Sequence, residues 1–422
     1  MSLRENLTYI KHSIRVVDMR ILIIGSGFSP IHKKLKLLGH HLFIIPDPTR
    51  KINFNEDNLY DGINFPDNKD DIESLARNIC ANKTIFSIDR VIAFNEQWQQ
   101  VAARVAAYAG LPIITDEQLV SRTVDKYSMR KHLKMNNFPT IRFEKINQHS
   151  DLAPALKHVG FPAVLKPLSG EASRDIFLLH DEKSYHQLEP ILCEKIGETF
   201  ILESFVAGEE YSVEAISYHG QHHILAITKK YKNDKFVEIG HVLPAPITLE
   251  QEVLIREYIQ DFLSVMGFDN SASHTEIILS NNGPAVIESH TRPGGDNIYR
   301  LLEFATGIDL MNLVAKINTD SVEEIDLRKR EDTCYSAVWY SSPEGNEKFI
   351  LDSVLGLEEA RRRTDIKDIT MLTKPGDTAR RVANSFDRSL FAIATGATAG
   401  EALSTAQDAL SEITLKYKYC TK

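Results

Sequence analysis

The spacing of apolar positions changes several times along this chain, and each change predicts a different element. Ile21-Leu22-Ile23-Ile24 is an unbroken apolar run that stops at Gly25-Ser26-Gly27; a helical pattern through Leu35 and Leu38 follows, then a second strand at His41–Ile45. Strand, helix, strand in this order predicts a parallel sheet. Arg90–Phe94 predicts another strand, ending at Asn95-Glu96, and Gln97–Ala109 an alanine-rich helix. Thr115–Met135 reads as one or two helices carrying Asp125-Lys126 and Arg130, and Phe138-Pro139-Thr140 breaks the pattern.

Shorter elements follow. Phe161–Pro167 is a strand closing on Lys166, Leu168–Asp175 a small polar turn, and Ile176–Leu179 a second strand. After a helical segment, Ser184–Lys195, come two strands joined across Ala207-Gly208. His219–Thr228 and Phe236–Pro244 are strands with a polar, lysine-bearing loop between them, Lys229–Lys235; Leu249–Met266 is an amphipathic helix ended by Gly267. Past Asp320 the pattern predicts strands at Thr333–Tyr340 and Phe391–Thr395 and helices at Leu357–Thr364 and Gly400–Tyr417, with no motif that carries chemistry.

The most informative stretch is His274–Leu279 with Ala285–Gly295, two strand-like runs separated by Ser280-Asn281-Asn282-Gly283-Pro284, a hairpin signal. A three-residue loop with Gly283 in the left-handed position sets Glu276 opposite Glu288 and His274 opposite His290. The other face then carries Thr275, Ile277, Leu279, Ala285, Ile287 and Ser289, a mostly apolar set suited to a core. Two facing carboxylates repel, so the pairing makes sense around a cation, and Glu276 and Glu288 are expected magnesium ligands. Arg292-Pro293-Gly294-Gly295 leads into a helix from Asp296 through Ala305, closed by Gly307; small residues at a helix start leave amides for an anion.

Composition narrows the function classes. The 422 residues suffice for several subdomains, and 43% hydrophobic with 25% charged residues is ordinary for a globular protein. A net charge of −9 argues against general binding to nucleic acid or anionic membrane and towards small molecules. Cys80, Cys193, Cys334 and Cys420 are scattered, with no CxxC, which suggests neither zinc nor disulfides; with no apolar run long enough to span a bilayer, a cytoplasmic location is expected. The expected division is a polar extension at 1–18, an α/β domain at 19–114, a central domain at 115–320 and a C-terminal subdomain at 321–422.

Other candidate groups follow from local chemistry. Lys166, with turn amides and Ser169 or Ser173, suits a triphosphate. Ser204–Val206, where a strand leaves its sheet, can supply an apolar slot and backbone bonds for adenine, and Glu210 could take ribose hydroxyls. Asn95 and Glu96, at the end of a parallel strand, are placed to touch substrate, though a helix cap explains them as well. Glu238 and His241 are close in sequence on one strand, where surface placement is the simpler reading. Gly25-Ser26-Gly27 lacks the third glycine and following acid of a dinucleotide site, so a tight turn is preferred.

The order of these motifs resembles the ATP-grasp superfamily of carboxylate-amine ligases: a lysine after a first domain, Lys166 before a small-residue loop, Glu-Ser-Phe-Val at 203–206 with a later Glu, then Glu276 and Glu-Ser-His-Thr-Arg-Pro-Gly-Gly at 288–295. Within it, the last motif, Glu238 with His241, and the extra C-terminal region are most similar to L-amino acid ligases. The resemblance implies an α/β protein, α+β in an ATP-grasp domain with its lid at about 140–206, that forms amide bonds through an acyl phosphate. It implies that Lys126 and Lys166 bind ATP phosphates, Glu203, Ser204, Phe205 and Val206 form the adenine hinge, and Glu210 takes the ribose. Glu276 and Glu288 would hold Mg2+, two ions with Mn2+ as a substitute, with His290 a third donor where relatives have asparagine. Arg292 would lie beside the phosphate and reacting carboxylate, where it and amides around Gly294 and Gly295 could meet the oxyanion; Glu238 and His241 would touch the amino acid. Expected partners are small carboxylates and amines, and a homodimer is compatible with the reading. Rival readings are a purine-pathway or carboxylase-like relative and a nucleotide-binding regulator without chemistry.

Overall fold

The computed structural model describes residues 18–48, 59–82, 84–168, 176–195, 199–234, 237–321, 325, 327, 334–343, 348–380 and 384–419. The chain forms two compact units, one of residues up to 114 with 312–326, the other of residues 115–311 with 327 onward.

In the first unit β1 (Arg20–Ile24), β2 (His41–Ile45), β3 (Gly62–Ile63) and β4 (Arg90–Ile92) form a parallel sheet in the order β3-β2-β1-β4. Helices Asp71–Ala81 and Glu96–Ala109 pack Ile72, Ile79, Ala102 and Val105 against Leu22, Ile24, Phe43 and Ile45. The turn after β1 serves packing, since Ser26 Oγ accepts from the Asp47 amide at 3.2 Å and Asp47 Oδ2 from Trp98 Nε1 at 3.2 Å.

The second unit opens with helices Glu117–Val124 and Lys126–Met135, and its first strands, β5 (Phe143–Ile146), β6 (Ala163–Pro167), β7 (Phe177–Leu179) and β8 (Phe200–Ser204), form an antiparallel sheet in the order β5-β8-β6-β7. Its apolar face, Ile146, Leu165, Leu179 and Leu202, packs on Leu152 and Leu156 of a helix, forming a small separate core. Next come β9 (Glu209–Tyr218), β10 (Gln221–Lys232), β11 (Glu238–Leu243), β12 (Ser271–Ser280) and β13 (Gly283–His290). The C-terminal strands are β14 (Tyr335–Ser341), β15 (Lys348–Leu355), β16 (Ile366–Met371), β17 (Thr378–Arg380), β18 (Leu390–Gly396) and β19 (Thr414–Tyr419). Among the described residues one sheet runs β13-β12-β9-β10-β11-β14-β18-β16, and β17-β15-β19 form another.

Three expectations are corrected. Lys229–Lys232 belong to β10 rather than to a loop, because Lys229↔Val242 and Lys230↔His241 pair with β11. The last helix ends at Ser411, and Thr414–Tyr419 is a strand, as the alternating Leu415-Lys416-Tyr417-Lys418 requires. The hairpin turn holds two residues, Asn281-Asn282, not three, because Ser280 pairs with Gly283 (φ 99°) and Ser280 Oγ donates to the Gly283 carbonyl at 2.9 Å. A bulge at Ile287 then restores the register, so Glu276 still faces Glu288 and His274 faces His290. Its local consequence is that Val286, 2% exposed, takes the core position expected of Ile287.

Candidate active site

Sheet pleating separates core from site. Tyr211, Val213, Ile227, Ile277 and Val286 point to one face, where helix Leu249–Met266 covers them with Ile255, Ile259, Phe262 and Met266. Each fully buried aliphatic or aromatic side chain contributes about 1.5–3 kcal/mol, and these help offset the cost of the charged opposite face. That face carries Glu210, Ser212 and Glu214 on β9, Lys230 on β10, His274 and Glu276 on β12, and Glu288 and His290 on β13; Ser212 is the β9 partner of Glu276, and Glu214 that of His274.

Each carboxylate of the facing pair has its own lysine. Lys126 Nζ lies 3.0 Å from Glu288 Oε2; it opens helix Lys126–Met135, fixed by the Asp125 cap on the Ser128 amide at 2.7 Å. Burial alone would lower the Lys126 ammonium, but Glu288 outweighs it and the group stays charged. Lys230, buried, touches Glu276, lies 2.5 Å from Glu238 Oε1 and 3.5 Å from Glu210 Oε1. Burial opposes its charge, yet those carboxylates raise it well above the ordinary range. Burial would raise Glu276 and Glu288 too; Lys230 and Lys126, respectively, hold both ionised. Ionised oxygens facing each other across adjacent strands are a donor set that fits Mg2+.

His290 Nε2 lies 3.4 Å from Glu288 Oε1, and its ring stacks on His274 at 5.8 Å between centroids. His274 joins Glu214, 2.6 Å from Nδ1, to Glu276, 3.3 Å from Nε2. Burial would lower it, but the two carboxylates hold it protonated, with its pKa raised to about 9.

The Glu203 carboxylate is taken up by two cations: Arg130 Nε at 2.7 Å and Lys166 Nζ at 2.8 Å. Arg130 also donates to the Val286 and Ile287 carbonyls at 2.7 and 3.0 Å, where the bulge interrupts the ladder. The same network thus orients Lys166 and braces β13. Phe205–Gly208 connects the two sheets, with the Phe205 amide bonded to the Pro162 carbonyl at 2.9 Å.

Burial would raise the Glu203 carboxyl, yet Arg130 and Lys166 hold it at about 2, against 4.5 ordinarily. A depressed folded pKa gives stability that is full above the unfolded value and fades as pH falls from 4.5 towards 2, about 3 kcal/mol in all. Glu203→Gln should therefore melt lower than wild type at pH 7, with a flatter dependence of melting temperature on acid pH. Calorimetry from pH 5 to 2.5 checks this; parallel curves would contradict it.

The segment after β13 is tightly held. The Gly294 amide, one of those expected from sequence to meet an oxyanion, donates here to Glu214 Oε2 at 3.2 Å. A Cβ there would sit 2.8 Å from His274 Nδ1 and 2.9 Å from Glu214 Oε2, which explains the glycine. Gly295 is exposed, and Arg292, half-buried, donates to the Pro293 carbonyl at 3.1 Å. Asp296 Oδ2 lies 3.5 Å from His241 Nε2, and both its oxygens meet Arg388 at 2.7 and 2.5 Å. Burial would raise the Asp296 carboxyl, but His241 and Arg388 keep it well below the usual range.

Of the groups expected from sequence, the second unit brings together Lys126, Lys166, Glu203, Glu210, Glu238, His241, Glu276, Glu288 and His290 by the contacts above, with Arg292 on the adjoining segment. Asn95 and Glu96 lie in the first unit, at the start of helix Glu96–Ala109. Ser169 and Ser173 lie outside the described residues. Sequence reasoning missed Lys230, Glu214, His274 as a bridge, Asp296 and Arg388, and left Arg130 without a role. For Lys230 a signal existed: Ile227–Lys232 keeps a strand's alternation.

A small antiparallel sheet linked by one short segment to a larger one with an acidic face is an ATP-grasp architecture, and the comparisons agree. Residues 159–299 match the ATP-grasp domain, and residues 350–418 match L-amino acid ligase C-terminal domain 2. The chain thus carries an ATP-grasp domain followed by an L-amino acid ligase C-terminal domain 2. An alanine–anticapsin ligase of Bacillus subtilis (strain 168) is 25% identical over 269 residues, 58% of this chain and 57% of that one. Dapdiamide A synthase of Enterobacter agglomerans is 24% identical over 277 residues, 60% of this chain and 65% of that one. The chain thus spans under two thirds of either ligase. The structure of an L-amino acid ligase from Bacillus licheniformis matches with a TM-score of 0.79 at 20% identity, covering 94% of this chain and 99% of that one, a likeness of fold. Among the described residues no helix is long and apolar enough to cross a membrane.

Proposed function

We propose that this protein joins two amino acids, activating the carboxylate of one as an acyl phosphate at the expense of ATP. A carboxylate oxygen attacks the γ-phosphorus and the bond to ADP breaks; the amine nitrogen of the second substrate then attacks the acyl carbon, the C–O bond breaks, phosphate leaves and the amine proton is lost. Free carboxylate does not react with amines because its leaving group would be oxide.

The observation that carries the reading is the sheet face on which Glu276 and Glu288, each with a lysine, adjoin the segment of Arg292 and the group Glu238, His241 and Asp296. Lys126 and Lys166 would meet ATP phosphates, and the link after Ser204 would meet adenine. Glu276 and Glu288 would hold Mg2+ or Mn2+, which when bound neutralises phosphate charge. Arg292 would meet the reacting carboxylate and the oxyanion, a task a planar guanidinium suits. Glu238 and His241 would receive the substrate's amino group, and the C-terminal domain match favours amino acids over other carboxylates.

The test is to incubate the protein with ATP, Mg2+ and L-amino acids in pairs, following phosphate release and product mass. Phosphate release dependent on two amino acids, with a dipeptide mass, is expected. No turnover with any carboxylate and amine would leave a nucleotide-binding regulator instead.

A further inference from the structure

The C-terminal region showed no chemistry in sequence, yet it reaches the segment that follows Arg292. Asp296 and Asn297 hold φ of 49° and 64°, left-handed values that aspartate and asparagine tolerate better than other non-glycine residues but that neighbours still steady. Residues from the C-terminal region do so. Arg388 meets both Asp296 oxygens, and the Tyr340 hydroxyl accepts from Asn297 Nδ2 at 3.2 Å. One turn on, Asp368 Oδ2 accepts from Arg300 at 2.7 Å.

Arg388 is itself locked. Only 7% exposed, it lies 3.9 Å from the Tyr340 ring centroid and donates through Nε to the Ser385 carbonyl at 2.7 Å. It also donates to the Glu238 carbonyl at 3.4 Å, so one planar group spans the Arg292 segment and the strand bearing Glu238 and His241. Acceptor atoms of Glu238, His241 and Asp296 lie within 4.8 Å of one another, a spacing that could suit a metal ion. The guanidinium already bonds both Asp296 oxygens, so it serves as the cation of this group.

We propose that Arg388 is a positioning residue through which the C-terminal domain sets the Arg292–Asn297 segment against the strand carrying Glu238 and His241, so that an activated carboxylate meets the amine before water. This rests on the ligase reading above. A fork holds two points where an ammonium holds one, so Arg388→Lys keeps the charge and loses the geometry.

Three measurements test it on the full chain. Hydrogen exchange of the peptide covering 291–298 should quicken at least about tenfold in Arg388→Lys while β12 keeps its protection. With the amino acid pair that wild type turns over best, kcat/KM should fall about 100-fold, as a misplacement near 1 Å would cause. KM for ATP should stay within about twofold, and phosphate released per amide should rise. Asp296→Asn should do the same, with the double variant no worse than the poorer single one. Unchanged exchange overturns the proposal, as does an unchanged phosphate-to-amide ratio or additive losses. Wild type inactive on every pair, with exchange altered as expected, would instead overturn the ligase reading and leave the positioning role standing.

Discussion

Lys230→Met is expected to lower kcat/KM at least about a hundredfold and to destabilise the metal-free protein by about 3–5 kcal/mol. Its ammonium touches Glu276 and lies near Glu238 and Glu210, so its loss leaves three carboxylates on one largely buried face, offset among the described residues only in part by Lys232, 2.6 Å from Glu210, and His274, 3.3 Å from Glu276. At about 2–4 °C per kcal/mol, the melting temperature should drop by roughly 10 °C at pH 7. Without the lysine Glu276 gains a proton more readily in the folded state. The deficit should therefore shrink as pH falls from 7 to 5, and Mg2+ should recover part of it. Scanning calorimetry with and without Mg2+, beside steady-state kinetics, checks each element; wild-type melting and turnover would remove Lys230 from the site.

Arg292→Met should reduce kcat by about 100- to 1000-fold and leave KM for ATP within about twofold, the pattern of a group that acts on charge developing in the reaction. Because Arg292 is half-buried and follows β13, its removal should cost little stability, which separates it from Lys230. Arg292→Lys should recover only a small part of the loss, since one ammonium cannot span two oxygens as a guanidinium does. Unchanged turnover in Arg292→Met would refute the role, and an equal rise in KM for ATP would move Arg292 to nucleotide binding.

How far such a site is legible in sequence depends on whether its partners are near each other along the chain. Glu276 and Glu288 are twelve residues apart around a turn, so the sequence could pair them, although it did so through a three-residue loop where the structure uses a two-residue turn and a bulge. Lys166 stood out as a lysine before a small-residue turn, whereas Lys126 gained a role only through the resemblance. Lys230 did neither, because Lys229–Lys232 is polar enough to pass for a loop until Val242 and His241 are seen to pair with it. Arg388 and Asp296 are 92 residues apart, and nothing in either local sequence announces the other. The parallel sheet was legible because its apolar runs are continuous; β16 and β17 were not, being short and interrupted by charge. Glu203 shows a different limit, since the sequence reads it as part of a hinge while the structure uses its carboxylate to hold Arg130 and Lys166.

The bulge at Ile287 bears on how this hairpin can change over generations. With a two-residue turn the strands would pair out of step at Glu276, and the extra residue corrects the parity before the carboxylates are reached. A lineage could lengthen the turn by one and lose the bulge, and the two acids would still meet. What selection preserves here is then a sum of two local lengths, so insertions and deletions in this hairpin should come in matched pairs.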